Sequence, residues 1–255
     1  MQRYASWMRE LSLRWEDGIT DYTLSRLLRN SPDRVLFPKL EQLDWEFDLS
    51  RSPLSFFPLF LSSNLKRVTL HTRSPRFKVP PEALKSLAEV ISCLPASLEH
   101  LSIMCGPRKR TLVDAISSFV CRCGSSLSSF GSSIPLSDEA FYHLTRLPNL
   151  RFWVAFHKPP RTLSLDTFPS LEDLRLEGAA LPWLHLLAAR GEGELQNGLA
   201  PAAAAITNTN IKQTLQVLHC PGNTPVDPML LSSISSFQNF VVLCGEPLLR
   251  QGGIL

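Results

Sequence analysis

One pattern of apolar and variable positions recurs along the chain: apolar, two variable, apolar, one variable, apolar. It reads Met8-Leu11-Leu13, Leu40-Leu43-Trp45, Leu65-Val68-Leu70 and Leu98-Leu101-Ile103, and continues as Leu150-Trp153-Ala155, Leu171-Leu174-Leu176 and Leu215-Leu218-Cys220. The closing alternation has period two, which predicts a strand with one face buried and one face out. Four of the phrases share a lead-in. Phe37-Pro38-Lys39-Leu40, Leu147-Pro148-Asn149-Leu150 and Phe168-Pro169-Ser170-Leu171 place proline two residues before the first leucine, and Leu94-Pro95-Ala96-Ser97-Leu98 does so with one more residue. Proline fixes a turn there, before the strand needs its N–H.

Between the strands the period changes. Ile19 to Leu27 and Leu136 to Leu144 share one order of residues: apolar, hydroxyl, Asp, two variable, apolar, two variable, Leu. The hydroxyl and the Asp suit a helix start. Pro81 to Cys93 predicts a helix with Leu84, Leu87, Ala88 and Ile91 on one side. Thr111 to Cys121 predicts another through Val113, Ile116 and Val120, and Val226 to Phe237 a third through Leu230, Ile234 and Phe237. Strand and short helix therefore alternate, and a strand phrase of this form is that of a leucine-rich repeat. The expected fold is an α/β leucine-rich repeat solenoid, with parallel strands on the concave face and short helices on the convex face. No repeat buries its apolar row alone, so stability comes from stacking.

The first strand residues stand at 8, 40, 65, 98, 150, 171 and 215. Steps such as 40 to 65 and 150 to 171 fit one repeat of about 20–29 residues. The step from 98 to 150 predicts a hidden repeat, with Leu127 to Ser132 as its degraded strand. The step from 171 to 215 holds Gly191-Glu192-Gly193-Glu194 and the alanines around Pro201; this Gly- and Ala-biased stretch predicts a mobile insertion at 188–210. No linker divides the chain, so 1–255 reads as one repeat array.

Composition narrows the function classes. A formal charge of +3 is too small to imply nucleic acid. The N-terminus lacks the apolar core of a secretion signal, and the apolar run Leu54 to Leu61 is too short to span a bilayer. A cytoplasmic or nuclear location is the expectation, with no membrane partner. Six cysteines are present, and the one close pair, Cys121 and Cys123, has no second pair to complete a zinc site. In a reducing compartment the cysteines read as small core residues. There is no Gly-rich phosphate loop, no G-x-S-x-G and no H-E-x-x-H. Asp44, Glu46 and Asp48 alternate as the solvated side of a strand does. The six histidines lie far apart, with His71, His100 and His219 at or beside variable strand positions. The expectation is a non-catalytic protein without metal or cofactor.

The phrases LFPKLEQLDW, LEHLSI, LPNLRFW, FPSLEDLRL and LQVLHC resemble the repeat region of fungal F-box/leucine-rich repeat proteins of the basidiomycete type. ITDYTLSRLL and LSDEAFYHL resemble the cysteine-type repeats of F-box proteins generally. The resemblance runs from about Trp7 to about Leu243. It implies a protein–protein interaction module, the substrate-recognition part of a ubiquitin-ligase adaptor, whose partner is a ligase substrate. The chain departs from that family in having no segment like an F-box ahead of its repeats. A stand-alone scaffold with no ubiquitin link, a truncated or degenerate relative, and an unrecognised enzyme are the other readings.

Two surfaces follow from the register. Outward positions are Glu10, Ser12, Arg14; Gln42, Asp44, Glu46; Arg67, Thr69, His71; His100, Ser102, Met104; Phe152, Val154, Phe156; and Asp173, Arg175, Glu177. Most are polar, whereas Phe152, Val154 and Phe156 are apolar, which makes them the expected anchor for a protein partner. A slip of one residue would instead turn Trp153 and Ala155 outward. The second surface is a basic rim after successive strands: Arg73 and Arg76, then Arg108, Lys109 and Arg110, then Lys158 and Arg161. Glu16, Asp17, Glu46 and Asp48 make the first repeats acidic. The rim suits an acidic protein segment, with nucleic acid the weaker option. With few residues before Met8 and after Leu243, both ends of the array are expected to be thinly covered, so that the chain is a fragment or works bound to another protein.

Overall fold

The computed structural model describes residues 7–14, 26, 29, 35–47, 54–72, 80–105, 109–157, 168–177, 214–221 and 241–245. The expected helices at 19–27 and 226–237, and the insertion at 188–210, lie outside the described residues, apart from Arg26, which is helical. The chain divides into two compact units, Met1–Phe141 and Tyr142–Leu255.

In the first unit five parallel strands lie in chain order: β1 (Glu10–Leu13), β2 (Gln42–Phe47), β3 (Arg67–Thr72), β4 (His100–Met104) and β5 (Ser129–Ser132). β5 is the hidden strand expected at 127–132. The strands run in matched register, so Leu43, Val68, Leu101 and Phe130 form one inward row and Trp45, Leu70 and Ile103 the next. Members of both rows are buried. The second unit repeats the plan with β6 (Phe152–Ala155), β7 (Asp173–Leu176), β8 (Val217–Pro221) and β9 (Val241–Gly245), again parallel and in chain order. An α/β fold built on parallel ladders is therefore observed.

The crossovers differ. α1 (Pro81–Cys93) starts on proline, whose missing N–H costs nothing at a helix start. Its buried stripe is Leu84, Leu87, Val90 and Ile91, so Val90 takes the place expected for Ala88. α2 (Arg110–Arg122) buries Leu112, Ile116, Phe119 and Val120. Val113 is only half-buried, because the larger Phe119 draws the apolar face around the helix. In α3 (Asp138–Thr145) the hydroxyl is the cap, since Ser137 Oγ accepts from the Ala140 N–H at 3.3 Å. Before β3 the crossover is a 3-10 helix, Leu54–Phe60, containing Pro58.

Two backbone devices repeat. The turn into the strand closes on the first leucine: Leu40 N–H donates to Phe37 O, Leu98 to Pro95 O and Leu150 to Leu147 O. One carbonyl then receives two successive N–H groups of the next strand. Arg9 O accepts from Glu41 and Gln42, Glu41 O from Lys66 and Arg67, and Lys66 O from Glu99 and His100. In the second unit Arg151 O accepts from Glu172 and Asp173, and Glu172 O from Gln216 and Val217. The turn hydroxyls add a rung: Ser62 Oγ donates to Pro38 O, Ser126 to Ala96 O and Ser170 to Pro148 O. Each repeat thus satisfies the backbone groups that its predecessor leaves open.

Candidate functional site: the outward face of the second ladder

The register decides which way β6 faces. Trp153 and Ala155 are buried at 4% and 3% exposure, and Trp153 packs on Phe168 with ring centres 5.4 Å apart. Phe168 accepts a left-handed backbone, φ 61°, at this position. With Trp153 inward, Phe152, Val154 and Phe156 take the outward positions, and all three are half-buried. The one-residue slip does not occur.

The ladder brings distant residues beside them. Phe152 pairs with Asp173, which pairs with Val217, which pairs with the exposed Val241. Val154 pairs with Arg175 and then His219. Glu177 N–H donates to Ala155 O, which sets Glu177 beside Phe156. Outward along β7 and the residue that follows it the charges therefore alternate: Asp173, Arg175, Glu177.

Arg175 is the centre of this group. Its guanidinium lies 4.7 Å from the centre of the Phe152 ring, within cation–π range. Its Nη2 is 3.5 Å from Asp173 Oδ2, and His219 Nε2 is 3.7 Å from Asp173 Oδ1. Asp173 Oδ1 and Arg175 Nε are enclosed, with no hydrogen-bond partner among the described residues. Enclosed polar atoms left open are uncommon in a finished interior. Burial pulls the His219 imidazole below its ordinary value; Asp173 opposes this and Arg175 adds to it. Burial pushes the Glu177 carboxyl up, with Arg175 drawing it back.

This charged group is not apparent from the sequence. Asp173, Arg175 and Glu177 are legible as outward positions, but the pairing with Phe152 and His219 is a long-range result of the ladder. The alternation of charge sign beside an aromatic-rich strand was the available signal.

The basic rim is mostly out of view: Arg73, Arg76, Arg108, Lys158 and Arg161 lie outside the described residues, as do Glu16, Asp17 and Asp48. Lys109 and Arg110 are exposed at the start of α2. Arg110 Nε stands 4.0 Å from Asp114 Oδ2, one helical turn on. In the first unit the outward face is more polar, but Thr69 is buried at 8%. Its short side chain sits between Asp44 and Ser102 in the ladder, which shield it. Burial, and then Arg67, pull the His100 imidazole down, with Glu99 opposing.

Among the described residues no three His, Cys, Asp or Glu side chains gather as a metal site, and no helix is long and apolar enough to cross a membrane. An open hollow of about 300 Å³ lies at Arg151, Glu172, Thr214 and Gln216, before the strands.

No family model matches the chain, and no curated protein is similar to it in sequence. Among solved structures, a chain of the crystal structure of the Rad7 and Elc1 complex in yeast aligns with a TM-score of 0.41 and 13% identity, covering 92% of this chain and 62% of that one. The chain therefore spans less than two thirds of that protein's length.

Proposed function

We propose that this is a leucine-rich repeat protein that binds another protein without catalysing a reaction, through the outward face of β6, β7 and β8. The observation that carries this reading is the outward placement of Phe152, Val154 and Phe156, with Trp153 and Ala155 turned inward. Aromatic side chains with an arginine among them are the residue types that dominate protein interfaces. Parallel strands in matched register, the repeated turn and the shared carbonyls support the solenoid assignment. The resemblance of the strand phrases to those of F-box/leucine-rich repeat proteins favours a ligase substrate as the partner, and a stand-alone scaffold is the second reading.

The test is affinity capture from the native cell with the wild-type chain and Val154→Asp, after the two are shown to unfold alike. A protein retained by the wild type and lost from the variant is expected. Co-capture of a ubiquitin-ligase adaptor favours the ligase reading, and its absence the scaffold. If the variant retains every captured protein, this face is not the docking surface.

A further inference from the structure

The outward face carries the same side-chain pair twice. Phe152 stands beside Asp173 across the β6–β7 ladder, and four residues further along Phe156 stands beside Glu177. Val154 and Arg175 lie between the two pairs. The first pair already holds a cation: the Arg175 guanidinium covers the Phe152 ring at 4.7 Å and reaches Asp173 Oδ2 at 3.5 Å. On the second pair no cation covers the ring among the described residues, although the Arg175 charge also reaches Glu177. Both of its members are half-buried, so each keeps an open face.

We infer that Phe156 and Glu177 form a receptor for an arginine side chain presented by the docked protein, an inference that rests on the docking face proposed above. The face itself shows how such a guest sits, because Arg175 makes the equivalent contacts within the chain. Charge points the same way. Asp173 and Glu177 together outnumber Arg175 by one, so the row along β7 is complementary to one more positive charge. Partial burial of the Glu177 carboxylate makes it costly when alone and strengthens its attraction for a cation. A guanidinium fits better than an ammonium because it is planar, stacks on a ring and offers a fork of donors to a carboxylate. Val154, between the pairs, would meet an apolar residue next to the guest arginine.

The test selects a phage-displayed library of short random peptides on the immobilised full-length chain and titrates the recovered peptides against variants. Peptides with arginine beside an apolar residue are expected. Their affinity should fall roughly tenfold with Glu177→Gln, which keeps the shape and removes the charge. It should fall roughly threefold with Phe156→Ala and with lysine in place of the peptide's arginine. Both variants are first checked for unchanged thermal unfolding. Peptides without arginine that are lost on Val154→Asp would overturn the receptor and leave the docking face standing. Peptides indifferent to Val154→Asp would overturn the docking face as well. Acidic peptides, arginine peptides unaffected by Glu177→Gln, or a selection that enriches nothing count against the receptor.

Discussion

Trp45 and Phe57 lie face to face, with ring centres 5.5 Å apart and planes within 9°. The contact joins an inward position of β2 to the 3-10 helix that follows it. Phe60 meets the same indole edge-on at 5.4 Å, and Phe47 does so at 6.3 Å. Phe47, Phe57 and Phe60 are essentially excluded from solvent. Stacked and edge-on pairs are the favoured geometries for aromatic rings and add to their area burial. The second repeat therefore closes its core with aromatic rings in place of an α-helix.

Trp45→Ala is expected to destabilise the protein by about 3–5 kcal/mol, the range for removing a large buried aromatic. The cavity would sit among three rings that cannot collapse freely onto it. Trp45→Phe should recover part of the loss. Chemical denaturation of the three proteins measures this; a loss under about 1 kcal/mol for the alanine variant would mean the aromatic cluster is not a stability centre.

Adjacent residues on β6 should behave in opposite ways. Trp153 is inward and packed on Phe168, so Trp153→Ala should cost about 3–5 kcal/mol. Phe152 is outward and half-buried, and its alanine variant should cost nearer 1 kcal/mol, chiefly through the lost Arg175 contact. Equal losses at the two positions would contradict the assignment of faces.

The strands were the most legible part of this chain, for a physical reason. A half-buried parallel strand must alternate, and the same alternation repeated with a proline lead-in is hard to produce otherwise. Even the degraded β5 showed itself, because Phe130 keeps the inward position while Ser129 and Gly131 vary. The crossovers were less legible. Leu54-Ser55-Phe56-Phe57 has no helical period, and Pro58 breaks any reading as a regular helix, so the 3-10 segment carried no signal beyond being apolar. On α2 the apolar residues Leu112, Val113, Ile116, Phe119 and Val120 span more than one narrow stripe, and only packing selects which faces inward. The Arg175 group was invisible for a different reason: Phe152, Asp173 and His219 meet through strand register, and nothing in their sequence spacing encodes a distance.

The thiols divide by burial. Cys105, Cys123 and Cys220 are buried, whereas Cys93 and Cys121 are exposed near the C-terminal ends of α1 and α2. Burial raises the Cys105 thiol far above its usual range and pushes Cys123 up to about 12. The thiolate is the reactive form, so both are doubly protected. Alkylation of the native protein near neutral pH, read by peptide mass spectrometry, should modify Cys93 first and Cys121 more slowly, since burial and Glu139 raise the latter. Cys105, Cys123 and Cys220 should react after denaturation. Rapid native labelling of Cys105 would show that the first ladder opens readily.

The imidazoles of His100 and His219 should link stability to acid. Both are drawn below the ordinary 6.5, chiefly by burial. The folded state therefore binds fewer protons than the unfolded state as pH falls below about 6.5. Their contribution is fully present above that value and is lost as pH falls through the lower values of the folded protein. His219 also feels two neighbours of opposite sign: Asp173 holds its value up and Arg175 pushes it down. Asp173→Asn removes the supporting charge and leaves the opposing one, so the His219 imidazole should titrate at still lower pH. Arg175→Gln should move it the other way, while His100, whose charged neighbours are Arg67 and Glu99, should not respond to either change. NMR titration of the imidazole C–H resonances reads both His219 shifts and the unmoved His100. A His219 value that rises in Asp173→Asn, or one that ignores both substitutions, would show that Asp173 and Arg175 do not act on it as the 3.7 Å approach implies.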